Sequence, residues 1–188
     1  MKSSVNIAKH PIHPILVLLP VGMWIASLIF DIVYLGTRNP FWHDAAYWNI
    51  LIGVIAASVA AIAGMTDLFT LAMRDEAKRI GWTHMTLNVT IIVLFIINLV
   101  IRAQTGGALS GGALFWTFAL NIIAIGTLLV SGWLGGEMVY KWGVAVPEET
   151  AERLAPVSRP EEAARMEPEV AGAKGGEAQP EEGEEQQG

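Results

Sequence analysis

Hydrophobic positions along the chain fall into four long blocks, at about 14–36, 45–72, 84–102 and 113–140, divided by short polar or glycine-rich stretches. A bilayer core about 30 Å thick needs roughly 20 mostly apolar helical residues, so each block predicts a membrane-crossing helix. Runs of this length are too long for strands, and in lipid a helix satisfies its own backbone groups. The connections are Gly36-Thr37-Arg38-Asn39-Pro40, the charged stretch 74–81 and the glycine-rich stretch 105–112, all with turn or breaker chemistry. Short connections make successive helices antiparallel, so the expected fold is an all-α integral membrane four-helix bundle, threaded up and down. The first block, from Pro14 to Leu35, is longer than a signal-peptide core and meets no A-x-A-like cleavage site, so it is expected to be a retained span.

Polar residues inside the blocks follow helical spacing. The second block carries Gly53, Ala57, Ala60, Gly64 and Asp67 at steps of three and four, a stripe of small residues that lets a neighbouring backbone approach. The third carries His84, Asn88, Ile91, Phe95, Asn98 and Arg102 in the same rhythm, and the first carries Val17, Pro20, Trp24, Ser27 and Asp31. Such polar groups turn away from lipid toward the bundle interior. Extended backwards, the first stripe reaches His13, although Pro14 predicts that His13 caps the helix with Pro14 at its first position. In the fourth block Ser131, Gly132, Gly135 and Gly136 form two overlapping small pairs just before Glu137, which predicts close packing there.

Charge divides the chain in two. Residues 147–188 hold twelve Glu against Arg153, Arg159, Arg165 and Lys174, a net of −8, so the total of −6 leaves +2 for residues 1–146. The Glu-, Ala-, Pro- and Gly-rich tail has too little apolar surface to offset its ordering entropy and is expected to be disordered. Lys2, Lys9, Arg74, Lys78, Arg79 and Lys141 gather at one set of span ends, and Arg38 and Arg102 at the other. The positive-inside bias therefore predicts an inner (cytoplasmic) membrane protein with both termini, and segment 1–13, in the cytoplasm. Trp42, Trp48, Trp82 and Trp142 lie near span ends and read as interface anchors. Without cysteine, the chain has no disulfide, thiolate-held cluster, covalently attached haem or cysteine nucleophile.

Placed by depth, His13, Asp67, His84 and Glu137 share the cytoplasmic level, one from each helix. Ionisable groups in a membrane are costly and are paired or functional. Three readings fit. His13 and His84 on diagonal helices suit the two axial positions of b-type haem. All four residues together suit a divalent transition metal such as zinc, iron or manganese. Otherwise the histidines cap helix starts while the carboxylates pair with them or with Arg74 and Lys141, which makes a cofactor-free scaffold. His10, between two X-Pro steps, is expected in a loop; Asp31 lies roughly 27 Å from His13 along the helix and is expected to form a surface-near pair with Arg102. Phosphate loops, nucleophile elbows and HExxH helices are absent, basic residues are too few for nucleic acid, and no internal repeat or broken helix suggests a transporter.

Read together, His10-Pro11-Ile12-His13-Pro14, Gly64-Met65-Thr66-Asp67, Trp82-Thr83-His84 with Leu87-Asn88, and Ser131-Gly132-Trp133-Leu134-Gly135-Gly136-Glu137 resemble the bacterial membrane family known as domain of unknown function 2231, over about residues 8–146. The resemblance implies a four-helix inner-membrane domain of unassigned biochemistry. Some members are joined to Rieske-type or cytochrome c-type domains, which points by association to electron transfer and to redox proteins or further copies as partners. The chain departs from the pattern at Trp142, where many members carry a histidine after the residues matching Tyr140 and Lys141.

Overall fold

The computed structural model describes residues 3, 5–8, 10–105 and 109–146; the expected acidic tail, at 147–188, lies outside the described residues. A short antiparallel hairpin, β1 (Asn6–Ile7) and β2 (His10–Pro11), leads into α1 (Ile12–Leu16) and α2 (Leu18–Thr37). Then follow α3 (Pro40–Thr70), α4 (Asp75–Ala103) and α5 (Gly111–Tyr140). Four stretches are long and apolar enough to cross a membrane: Ile12–Thr37, Pro40–Thr70, Asp75–Ala103 and Gly111–Tyr140.

Local chemistry moves the helix starts from their expected places. The cap of α1 is Pro11, not His13, so Pro14 sits in the first turn, where its missing N–H deprives the helix of nothing. Pro20 has no N–H for the carbonyl of Leu16, and α1 and α2 part at Val17. Asn39 caps α3 by accepting from the Phe41 N–H at 3.0 Å, with Pro40 in the first turn, so that helix begins at 40 rather than 45. The charged stretch 74–81 is mostly helix, because Asp75 and Glu76 complement the N-terminal dipole of α4. His84 therefore lies in the third turn of α4 rather than at its start.

The core is Trp24, Ile50, Ala57, Ile91, Phe95, Ala124 and Leu128, while Leu18, Ile62, Phe69, Leu129 and Trp133 face outward. Fully enclosed are Ser27, Asn98, Arg102, Thr117, Asn121 and Ser131, and Asp31 is buried beside them. Apolar outside and polar inside is the arrangement that hydrocarbon solvent selects.

An internal correspondence that the sequence did not reveal runs through these interior positions. Asp31 and Arg102 are 71 residues apart. The same offset carries buried Pro20, Trp24, Ser27 and Asp31 of α2 onto Ile91, Phe95, Asn98 and Arg102 of α4. It also carries buried Ala46, Ile50, Gly53, Ala57 and Ala60 of α3 onto Thr117, Asn121, Ala124, Leu128 and Ser131 of α5. Residues contact their own mates: Trp24 stacks on Phe95 at 4.5 Å between ring centroids, and Asp31 bonds Arg102. Mate-to-mate contact is the signature of an isologous, two-fold interface. The expectation of no repeat is thus corrected: the repeat lies in which positions are buried, while their chemistry has diverged.

Candidate functional site

His13 and His84 are also mates, and their imidazoles stand 6.5 Å apart between centroids with planes at 85°. Each ring is held in the same way by the helix behind it. His13 Nδ1 meets the Ala60 carbonyl at 2.8 Å and His84 Nδ1 meets the Ser131 carbonyl at 2.8 Å; in both cases the partner lies 47 residues ahead. A carbonyl only accepts, so both Nδ1 atoms carry the proton and both Nε2 atoms keep a lone pair. One helical turn beyond each carbonyl is a glycine that makes room for the ring. A Cβ on Gly64 would meet His13 Cε1 at 2.8 Å, and one on Gly135 would meet His84 Cε1 at 3.1 Å.

The two rings differ in what surrounds that bond. Ser131 Oγ lies 3.0 Å from His84 Nδ1 and accepts from Asn88 Nδ2 at 2.8 Å, while Asn88 Nδ2 also donates to the His84 carbonyl at 2.8 Å. The corresponding positions on the other half are Ala60 and Val17, which have no side-chain polar group. His84 is thus anchored by two acceptors and His13 by one.

The carboxylates expected beside the histidines are engaged elsewhere. Asp67 accepts from Ser3 Oγ at 2.6 Å and from the Val5 N–H at 3.3 Å, strapping the N-terminal segment to the end of α3. Glu137 accepts from Lys141 Nζ at 3.0 Å, one turn along α5. Among the described residues no group of three or more His, Asp or Glu is placed to hold a metal ion, so His13, Asp67, His84 and Glu137 do not assemble into a four-ligand shell.

His10 is exposed in β2, with Nδ1 2.9 Å from the Ala8 carbonyl. The Asp31–Arg102 pair, expected near the surface, is buried: Arg102 Nη2 reaches Asp31 at 2.6 Å with side chains 0% and 5% exposed. Asn121 Nδ2 donates to Asp31 Oδ2 at 2.8 Å, Arg102 Nε donates to Asn98 Oδ1 at 2.7 Å, and Asn98 Nδ2 donates to the Thr117 carbonyl at 2.7 Å. Sequence reasoning missed Asn121 and Thr117, although their steps of four and three to Ala124 already marked one face of α5. Nearby, His43 is 3% exposed, with Nδ1 3.2 Å from Asp44 Oδ1.

Four apolar helices that enclose an apolar core and several buried polar groups define a multi-span helical membrane protein. The chain belongs to the family described as predicted membrane protein (DUF2231), whose model matches residues 9–148. Searches of the curated proteins and of the solved structures find no match.

Proposed function

We propose that the chain is an inner-membrane electron-transfer subunit that holds b-type haem between His13 and His84, with both termini in the cytoplasm. The observation that carries the reading is a pair of neighbouring imidazoles, 6.5 Å apart between centroids, each with Nδ1 tied to a backbone carbonyl, which leaves the lone pair on Nε2. Such a second-shell bond is how metal-ligating histidines are ordinarily oriented. Two metal–nitrogen bonds of about 2.0 Å and two half-rings of about 1.1 Å set coaxial imidazole centroids roughly 6.2 Å apart. The observed 6.5 Å fits that spacing.

Coordination number favours haem over a bare ion. A zinc-like ion wants four ligands from the protein and water, and no third ligating side chain joins the pair among the described residues. Haem would need only two ligands from the protein, and His13 and His84 would supply them. Once held, the group would supply one-electron transfer. The protein's share is to fix both rings, exclude water on the core side through Trp24 and Phe95, and leave the histidine end near the lipid headgroups.

A second reading, a cofactor-free scaffold in a membrane complex, is favoured by the closed interior. The Trp24–Phe95 stack and the Asp31–Arg102 network join the two halves without help from any ligand. Visible spectroscopy and metal analysis of the full-length protein purified in detergent separate the two. A Soret band that His84→Ala abolishes is the expected result; a colourless, metal-free preparation that takes up no added haem would leave the scaffold reading standing.

A further inference from the structure

The two halves match so closely that their differences at the histidines become informative, and all of these differences act in one direction. His84 lies within the continuous 29-residue helix α4, whereas His13 lies in the five-residue α1, separated from α2 at Val17. The His84 Nδ1–H faces both the carbonyl and the hydroxyl of Ser131, and that hydroxyl is itself fixed by Asn88. The His13 Nδ1–H has the Ala60 carbonyl, and the mates of Ser131 and Asn88 are Ala60 and Val17. More acceptors on Nδ1–H make Nε2 the stronger electron donor and hold the ring in its ligating orientation.

We infer that the two imidazoles are unequal ligands: His84 is the permanent one, positioned by Ser131 and Asn88, and His13 is displaceable, so a small neutral ligand such as carbon monoxide binds on the His13 face. The inference rests on the proposal that haem occupies the pair. The exchange is a simple substitution. His13 Nε2 would yield its place to the lone pair of the incoming ligand, with no change of oxidation state. His13 swings out by giving up its bond to Ala60, while the Asp67 contacts to Ser3 and Val5 keep the N-terminal segment attached.

The test uses the full-length chain in detergent, titrated with ferric protoporphyrin IX and read by optical spectra, haem retention on gel filtration, and carbon monoxide binding after reduction. His13→Ala should retain haem, change it from six-coordinate low-spin to five-coordinate high-spin, and bind carbon monoxide at least ten-fold faster than the parent. His84→Ala should lose retention. Ser131→Ala with Asn88→Val, which gives His84 the surroundings of His13, should weaken haem retention in the His13→Ala background by about ten-fold or more. This variant keeps both the fold and the ligand, so it tests the positioning role even if His84→Ala fails to assemble. Equal losses from the two single histidine variants, or retention by His84→Ala alone, would overturn the inference while leaving bis-histidine binding intact. A parent protein that takes up no haem would overturn both.

Discussion

Asp31 and Arg102 show most plainly how a single residue is tolerated in this interior. Removing two charges from water is costly, and each survives here because the other, together with Asn98 and Asn121, supplies hydrogen bonds, although Arg102 Nη1 is buried without a partner among the described residues. Asp31→Asn leaves the guanidinium buried with its countercharge gone and should destabilise the protein by about 3–5 kcal/mol, read as a lower thermal unfolding midpoint in detergent. The double change Asp31→Leu with Arg102→Met should cost less than the single one; a larger cost would mean the pair contributes more than its burial consumes. Asp67 makes a different point. Its inward direction was legible from the small-residue stripe, but its partners were not, because Ser3 and Val5 belong to an irregular segment without periodicity. Asp67→Asn should loosen that strap and speed amide exchange at residues 5–8; unchanged exchange would show that the hairpin stands without it.

Among the helices, four apolar blocks and the inward stripes of α2, α3 and α4 could be read from spacing alone, since lipid forces length and facing together. The glycines of α5 could not. All four small residues there looked like packing positions, yet a Cβ would press on His84 only at Gly135, while Gly132 and Gly136 have nothing within 4 Å. Gly136→Ala should therefore stabilise the helix by up to about 1 kcal/mol by propensity. Gly64→Ala should instead displace the His13 ring and turn added haem from low-spin toward high-spin without loss of uptake; an unchanged low-spin spectrum would mean the ring is not confined where it is seen. The helix starts were missed for local reasons: Asn39 and Pro40 act as a cap rather than a breaker, and Asp75 and Glu76 favour a helix N-terminus that a charge count reads as a loop. The repeat was missed because, apart from His13 with His84 and Gly64 with Gly135, the mates described above share position and not identity, as with Asp31 and Arg102.

Across the whole molecule, three mated pairs form a column: His13 with His84, Trp24 with Phe95, and Asp31 with Arg102. An aromatic stack such as the middle pair contributes about 0.5–1.5 kcal/mol beyond area burial, a useful amount where lipid offers helices no hydrophobic reason to associate. The column has a polar network at one end, an apolar plug in its middle and two imidazoles at the other end. The proposed orientation, with the imidazole end toward the cytoplasm, rests on the positive-inside bias of the basic residues, and labelling of single cysteines placed near residues 10 and 146 should find both on one side. Electron paramagnetic resonance of the ferric, haem-loaded full-length protein tests the central claim most directly. Parallel imidazole planes split the two iron orbitals that overlap them, whereas planes at 85° leave those orbitals nearly equal in energy. The expected result is a strongly anisotropic low-spin signal with one very large g value; a high-spin signal, or a rhombic low-spin one, would contradict the arrangement of His13 and His84.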